Sequence, residues 1–261
     1  MVTRLAVPAR TDPVRIVPLH LPDALGVAGA VAPIGPATQL TYHGGHLLPA
    51  VEVSTIFWGR TWSAGRMKVL AGQLNAFLDA ILDGPLIQQL GEYSATGQTI
   101  GPGRRVGTAT VSQPALPASI SDGAIQHFVQ SQIASNPLVP QPTPNSLYFI
   151  YLRPGVSVAQ GGARSCQAFC GYHNDIAGQV FYAVMPYPGC SGCTGGLNPL
   201  DALTATSSHE LCEAITDPVP GQGWYDDRDN AEIGDLCAWR TKQLAGSTVQ
   251  LEWSNRAGGC V

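Results

Sequence analysis

The segment His209-Glu210-Leu211-Cys212-Glu213 places an imidazole and a carboxylate four residues apart, with a second carboxylate beside the imidazole. On a helix, at about 100° per residue, His209 and Glu213 share one face, one turn apart. Glu210 then stands at the edge of that face, and Leu211 and Ile215 point the other way, where they can anchor the helix in a core. An imidazole and a carboxylate at this spacing can grip a metal ion rigidly. The neighbouring Glu210 is placed to take a proton from an attacking water. That is the mechanical logic of the HExxH zinc peptidases, with Glu213 in place of the second histidine, and carboxylate oxygen is an acceptable zinc ligand. The competing reading is a surface helix carrying ordinary acids. Against it, Glu210, Glu213 and Asp217 crowd one arc and would repel one another without a cation.

A third ligand must come from further along. Pro218 ends the helix, and Pro220, Gly221 and Gly223 turn the chain into Trp224-Tyr225-Asp226-Asp227 and then Glu232-Ile233-Gly234-Asp235-Leu236-Cys237. Glu232 and Asp235 follow Glu213 at the separation expected of a distant carboxylate ligand. Asp235 is preferred, because Gly234 and Cys237 would hold its loop. Asp217 is the weaker choice, since its place beside Pro218 suits a helix end. Asp226, Asp227, Asp229 and Asn230 form a second oxygen-rich group that would suit calcium, or simply a polar turn. Tyr225 and His173 are candidates to donate to an oxyanion. His43 and His46 are candidate substrate-binding groups, each equally readable as a loop histidine. Cys212 points away from His209 and reads as packed. The reaction these residues describe is hydrolysis of a peptide or protein substrate, with Glu210, Tyr225 and His173 as the catalytic set. Zinc would be held by His209, Glu213 and Asp235 or Glu232.

The elements that must position these residues follow from periodicity and punctuation. Val51 to Trp58 is β-branched, aromatic and alternating, which predicts a strand. Ser63 is a candidate cap for a helix running to about Asp83, with Met67, Leu70, Leu74, Phe77 and Ile81 at helical spacing and Gly84-Pro85 as its breaker. Arg105 to Val111 is a second strand, and Ser121 can cap a helix that buries Ile125, Phe128, Val129 and Ile133. Leu147 to Leu152 is an apolar central strand, Gln179 to Met185 another, Leu203 to Thr216 the site helix, and Thr248 to Trp253 a closing strand. This order predicts a single α/β (α+β) domain over residues 40–261, a mixed twisted sheet with packed helices. Residues 1–39, rich in proline, read as a leader or propeptide-like extension.

Composition narrows the function classes. Charged residues make up only 12% of the 261, and the net charge is −4 with no Lys/Arg cluster, so nucleic acid is a poor partner. No apolar run is long enough to span a bilayer. Seven cysteines point to an oxidising, extracellular setting. Six form local pairs by spacing, Cys166/Cys170, Cys190/Cys193 and Cys237/Cys260, with Cys212 left over. The alternative is a zinc knuckle built from the first four thiolates.

Several of these motifs, taken in order, resemble the EXORDIUM-like (phosphate-induced) proteins. They are Tyr42-His43-Gly44-Gly45-His46-Leu47-Leu48 leading to Phe57-Trp58-Gly59, Cys166-x3-Cys170-Gly171-Tyr172-His173, the stretch ending Cys190-x2-Cys193, His209-Glu210-Leu211-x-Glu213, Trp224-Tyr225, and Glu232-Ile233-Gly234-Asp235-Leu236-Cys237. The form running from Ser208-His209-Glu210-Leu211 to Thr216-Asp217-Pro218 is similar to the bacterial relatives. The resemblance spans about residues 40–261. It implies an exported, disulfide-bonded protein, and it admits a non-catalytic role in binding a cell-wall glycan or a protein partner.

Overall fold

The computed structural model describes residues 16–19, 38–228 and 230–261. Its centre is a mixed six-stranded sheet. The strands are β1 (Ile16–Pro18), β2 (Glu52–Trp58), β3 (Arg104–Val111), β4 (Ser146–Leu152), β5 (Phe169–Ile176) and β6 (Val180–Met185). Their order across the sheet is β1-β5-β6-β4-β2-β3. β3, β2, β4 and β6 run parallel, β5 is antiparallel to β6, and β1 is antiparallel to β5. The expected α/β class and mixed sheet are what the chain adopts.

Alternation on the strands divides the core into two layers. Val53, Phe57, Phe149, Tyr151, Phe181, Ala183 and Met185 face helices α1 (Gly65–Ile81) and α3 (Pro199–Thr216). Ile56, Trp58, Tyr148, Ile150, Tyr182 and Val184 face α2 (Asp122–Ser135). β4 is buried along its whole length because both of its faces are covered, as a central parallel strand requires.

The elements differ from expectation in specific places. Ser63 does not cap α1. The chain wraps Arg60–Ser63 into a 3-10 turn that buries Trp62, so the helix starts one residue later, at Gly65 behind Ala64, with no side-chain cap. Ser121 does cap α2, its Oγ accepting from the Ala124 N–H at 3.4 Å. Gly84-Pro85 ends α1 and also opens a short helix, Pro85–Leu90, with Pro85 in the first turn, where its missing N–H costs nothing. The expected closing strand shortens to Ser247–Gln250, which pairs with Thr241–Leu244 in a hairpin outside the main sheet. Ala245 and Gly246, both at positive φ, make its turn.

β1 lies within the stretch read as a leader, yet it forms the sheet's edge. Val17 packs with the cysteines, and Trp239 Nε1 donates to the Pro18 carbonyl at 2.8 Å. The rest of residues 1–39, up to 37, lies outside the described residues apart from Leu19.

Three disulfides are present, and two of them correct the local pairing. Cys166 bonds Cys190 and Cys170 bonds Cys193, so each cysteine of the first pair joins one of the second; Cys237 bonds Cys260 as expected. The start of β5 and the Cys190–Cys193 turn lie side by side, which makes the crossed pairing the short one. Those four sulfurs are spent, so they form no thiolate cage. Cys212 is free and buried.

Candidate metal centre

The site helix begins earlier than its apolar pattern suggests. Asn198 is its N-cap, accepting from the N–H groups of Leu200 and Asp201 at 3.0 Å each, and Pro199 follows in the first turn. From that fixed start, α3 runs 18 residues under the sheet and is buried from Ala202 to its end. It brings His209, Glu210 and Glu213 against β5. On that strand Tyr172 faces the α2 layer, so Gly171 and His173 face α3. Gly171 is required there: a Cβ at this position would stand 2.7 Å from Thr206 Cγ2 and 3.3 Å from Glu210 Oε1.

Two histidines and four carboxylates converge. His209 Nε2 lies 2.9 Å from Glu213 Oε1 and 3.9 Å from Asp235 Oδ1. His173 Nδ1 lies 3.1 Å from Glu210 Oε2 and 3.5 Å from Glu213 Oε2, and His173 Nε2 lies 3.7 Å from Glu232 Oε1. His209, Glu213 and Asp235 can each offer a ligand atom within 4.8 Å of the others, and so can His173, Glu213 and Glu232. His173, His209, Glu210, Glu213 and Glu232 are all 0% exposed, whereas the Asp235 side chain keeps 20%. Solvent therefore reaches the group from the Asp235 side.

The loop supplying Glu232 and Asp235 is closed on itself and on the helix. The Glu232 N–H donates to Asp235 Oδ2 at 3.0 Å, and the Trp253 N–H donates to the Ile233 carbonyl at 3.1 Å. Gly234 lies against the His209 ring, where a Cβ would come within 2.7 Å of Nδ1. Gln250 was not singled out in the sequence, yet it orients the ring. Its Oε1 accepts from the Trp239 N–H, while its Nε2 donates to the Gly234 carbonyl at 2.9 Å and to His209 Nδ1 at 2.7 Å. With Nδ1 accepting, Nε2 carries a ring proton and turns it toward Glu213.

Asp217 is turned away from this group: the N–H groups of Gly221, Gln222 and Gly223 all donate to its carboxylate. Its carbonyl accepts from His173 Nε2 at 3.1 Å. Both nitrogens of His173 are thus engaged, one on the helix end and one on Glu210. Tyr225 sits in a two-residue ladder with Thr41–Tyr42, its ring stacked on His43 at 3.8 Å. His46 Nε2 lies 2.6 Å from the Pro144 carbonyl. Asp227 is turned to Thr41 and His43, and Asp226 to Arg228, so these carboxylates face separate partners; Asp229 lies outside the described residues. Among the described residues, this turn is not one of the convergent groups.

The electrostatics follow from burial against pairing. Burial would raise the Glu213 carboxyl, but His209 and His173 outweigh it and hold its pKa down to about 2. Burial raises Glu210 above the usual carboxylate range. Burial and the Glu213 charge push Asp235 up to about 7. Burial alone would depress His173, but Glu232, Glu210 and Glu213 overcome it and hold the imidazole well above its ordinary pKa. His209 Nε2, Glu210 Oε1 and both Glu213 oxygens are buried without an aligned hydrogen-bond partner among the described residues. Buried polar atoms without partners are rare and call for an occupant. A divalent cation bound between His209, Glu213 and Asp235 satisfies two of these four atoms, His209 Nε2 and one Glu213 oxygen, so the donor set fits a metal.

Comparisons with known proteins leave the chemistry to these residues. No family model matches the chain, and no curated protein matches it. Among solved structures, the chain is similar to metalloproteinase-II from Bacteroides fragilis at 13% identity and a TM-score of 0.33. That alignment covers 68% of this chain and 46% of the other, so the chain spans about half of that protein's length. No described helix is long and apolar enough to cross a membrane.

Proposed function

We propose that this protein is an exported zinc-dependent endopeptidase. The observation carrying the reading is the convergence of His209, Glu213 and Asp235 with orphaned buried ligand atoms, beside a glutamate whose Oε1 has no partner. His209 Nε2, Glu213 and Asp235 would hold the ion, with Glu232 beside them. Zinc, when bound, supplies a Lewis acid that polarises a scissile carbonyl and makes water more acidic. Glu210 accepts the proton of the attacking water at Oε1. Its raised pKa suits it to pass that proton to the leaving amine. His173 holds the other Glu210 oxygen and so positions the base. The peptide approaches from the Asp235 side, where the group meets solvent.

The test is Glu210→Gln. It should keep its zinc and lose hydrolysis of a mixed-sequence fluorogenic peptide pool by a factor of about 10² to 10⁴. Retained activity in that variant removes Glu210 from the reaction, and an inactive zinc-loaded wild type removes the peptidase reading.

The near-complete burial of the group favours a second reading. In it the protein is non-catalytic and EXORDIUM-like, the metal ties α3 to the 232–235 loop, and a cell-wall glycan or protein is bound elsewhere. Zinc that exchanges only on unfolding, without hydrolysis of any peptide, is the result that selects it.

A further inference from the structure

Glu213 presents its two oxygens to two different histidines. Oε1 faces His209 Nε2 at 2.9 Å, and Oε2 faces His173 Nδ1 at 3.5 Å. Among the described residues neither oxygen has an aligned hydrogen-bond donor, and Glu213 is fully buried. A carboxylate in this position can bridge two cations. A second group of donors shares Glu213: His173 and Glu232 can each offer a ligand atom within 4.8 Å of it and of each other. His173 comes from β5, Glu213 from α3 and Glu232 from the loop before Asp235.

We infer that the centre holds two divalent first-row ions bridged by Glu213, the second bound by His173 and Glu232, with Glu210 beside them. This rests on the cation position proposed above, whose His209 and Asp235 ligands the second ion does not share. Three features favour it. The His173 Nε2 bond to the Asp217 carbonyl, at 3.1 Å, fixes the ring so that Nδ1 is turned to Glu210 and Glu213, while Glu232 Oε1 lies 3.7 Å from Nε2. Oriented imidazole backed by a carbonyl is the usual support of a metal-bound histidine. Four carboxylates, Glu210, Glu213, Glu232 and Asp235, also crowd two imidazoles in a buried site, a donor set that divalent ions suit. One imidazole with two carboxylates suits manganese, cobalt, iron or zinc in the divalent state. Glu210 stands beside this ion with Oε2 turned to His173 and Oε1 left for proton transfer.

The competing arrangement puts a proton on His173 in place of the second ion. The two are separated by dialysing the full chain against Co²⁺, counting metal by elemental analysis, and recording the electron paramagnetic resonance of the Mn²⁺-loaded protein. Two Co²⁺ per wild-type chain, about one in His173→Asn, about one in His209→Ala, and exchange-coupled Mn²⁺ in the wild type alone are the expected results. One Co²⁺ per wild-type chain, unchanged in His173→Asn, overturns the second ion and leaves the first standing. No Co²⁺ in the wild type overturns both. If circular dichroism shows that His173→Asn has not folded, the wild type decides alone: two ions with coupled Mn²⁺ support the bridge, and any other count or uncoupled Mn²⁺ overturns it. Failure to cleave peptides bears on the proposed activity and leaves this count untouched.

Discussion

At the scale of single residues, the chemistry rests on groups that are placed by neighbours rather than by their own reach. His209 shows this most directly. Holding a cation at Nε2 moves the ring proton to Nδ1, and Gln250 must then turn its amide oxygen to the ring, giving up its bonds with the Trp239 N–H and the Gly234 carbonyl. Groups that orient a metal-bound histidine typically contribute 10- to 100-fold in affinity. Gln250→Leu is therefore expected to weaken Zn²⁺ binding by about that factor while keeping its stoichiometry, as measured by competition with a chromophoric chelator. An unchanged affinity would show that Gln250 only fills space. The sequence made His209, Glu210, Glu213, Glu232 and Asp235 legible because helical spacing and loop distance are linear quantities. Gln250 was not legible, since a lone glutamine on a hairpin carries no spacing signal. The same holds for the engagement of His173 with the Asp217 carbonyl, which only the fold creates.

At the scale of elements, two small features decide whether the donors meet. One is the start of α3. Asn198→Ala removes the acceptor for two N–H groups and should cost about 1 kcal/mol in urea unfolding, with metal content unchanged. The other is Gly234. Its φ of −79° is open to any residue, so the glycine is there for room and not for backbone freedom. Gly234→Ala should force the loop or the His209 ring aside, destabilise the fold by about 1–3 kcal/mol and weaken Zn²⁺ binding at least tenfold. Gly123→Ala, where a Cβ meets nothing within 4 Å, is the control that should leave binding alone. Equal affinities in the two variants would mean that the loop packs elsewhere. Strands such as Glu52–Trp58 and Ser146–Leu152 were readable because β-branched and aromatic residues fill both covered faces. Phe169–Ile176 was not, because Cys170-Gly171-Tyr172-His173-Asn174-Asp175 has a loop's composition and becomes a strand only through pairing with β6 and β1. Asn198-Pro199 was a readable helix start that lay outside the apolar periodicity.

At the scale of the whole molecule, covalent and metal ties act on the same weak point, the segment from Trp224 to Cys237, which has little regular structure and supplies two carboxylates to the centre. Cys237–Cys260 fastens its end to the C-terminus, where the backbones of Glu252 and Val261 exchange two hydrogen bonds. Cys166–Cys190 closes a loop of nearly equal length, 24 residues against 23, between the start of β5 and the turn before α3. Loop entropy therefore assigns each bond a similar stabilisation, about 3 kcal/mol. Their effects on metal binding should differ. Replacing Cys237 and Cys260 by serine should lower both the melting temperature and the Zn²⁺ affinity, because the 232–235 loop must then be ordered at the moment of binding. Replacing Cys166 and Cys190 should lower the melting temperature by a comparable amount and leave affinity within a few-fold. Zinc at 100 times its Kd should restore about 2.7 kcal/mol to the wild type, and a smaller share to the Cys237/Cys260 variant at the same concentration, since its Kd is higher. Calorimetric melts with and without zinc on the three proteins measure all of this. Equal zinc-induced shifts in the two variants would show that the centre is held by α3 and β5 alone, with the loop along as a passenger.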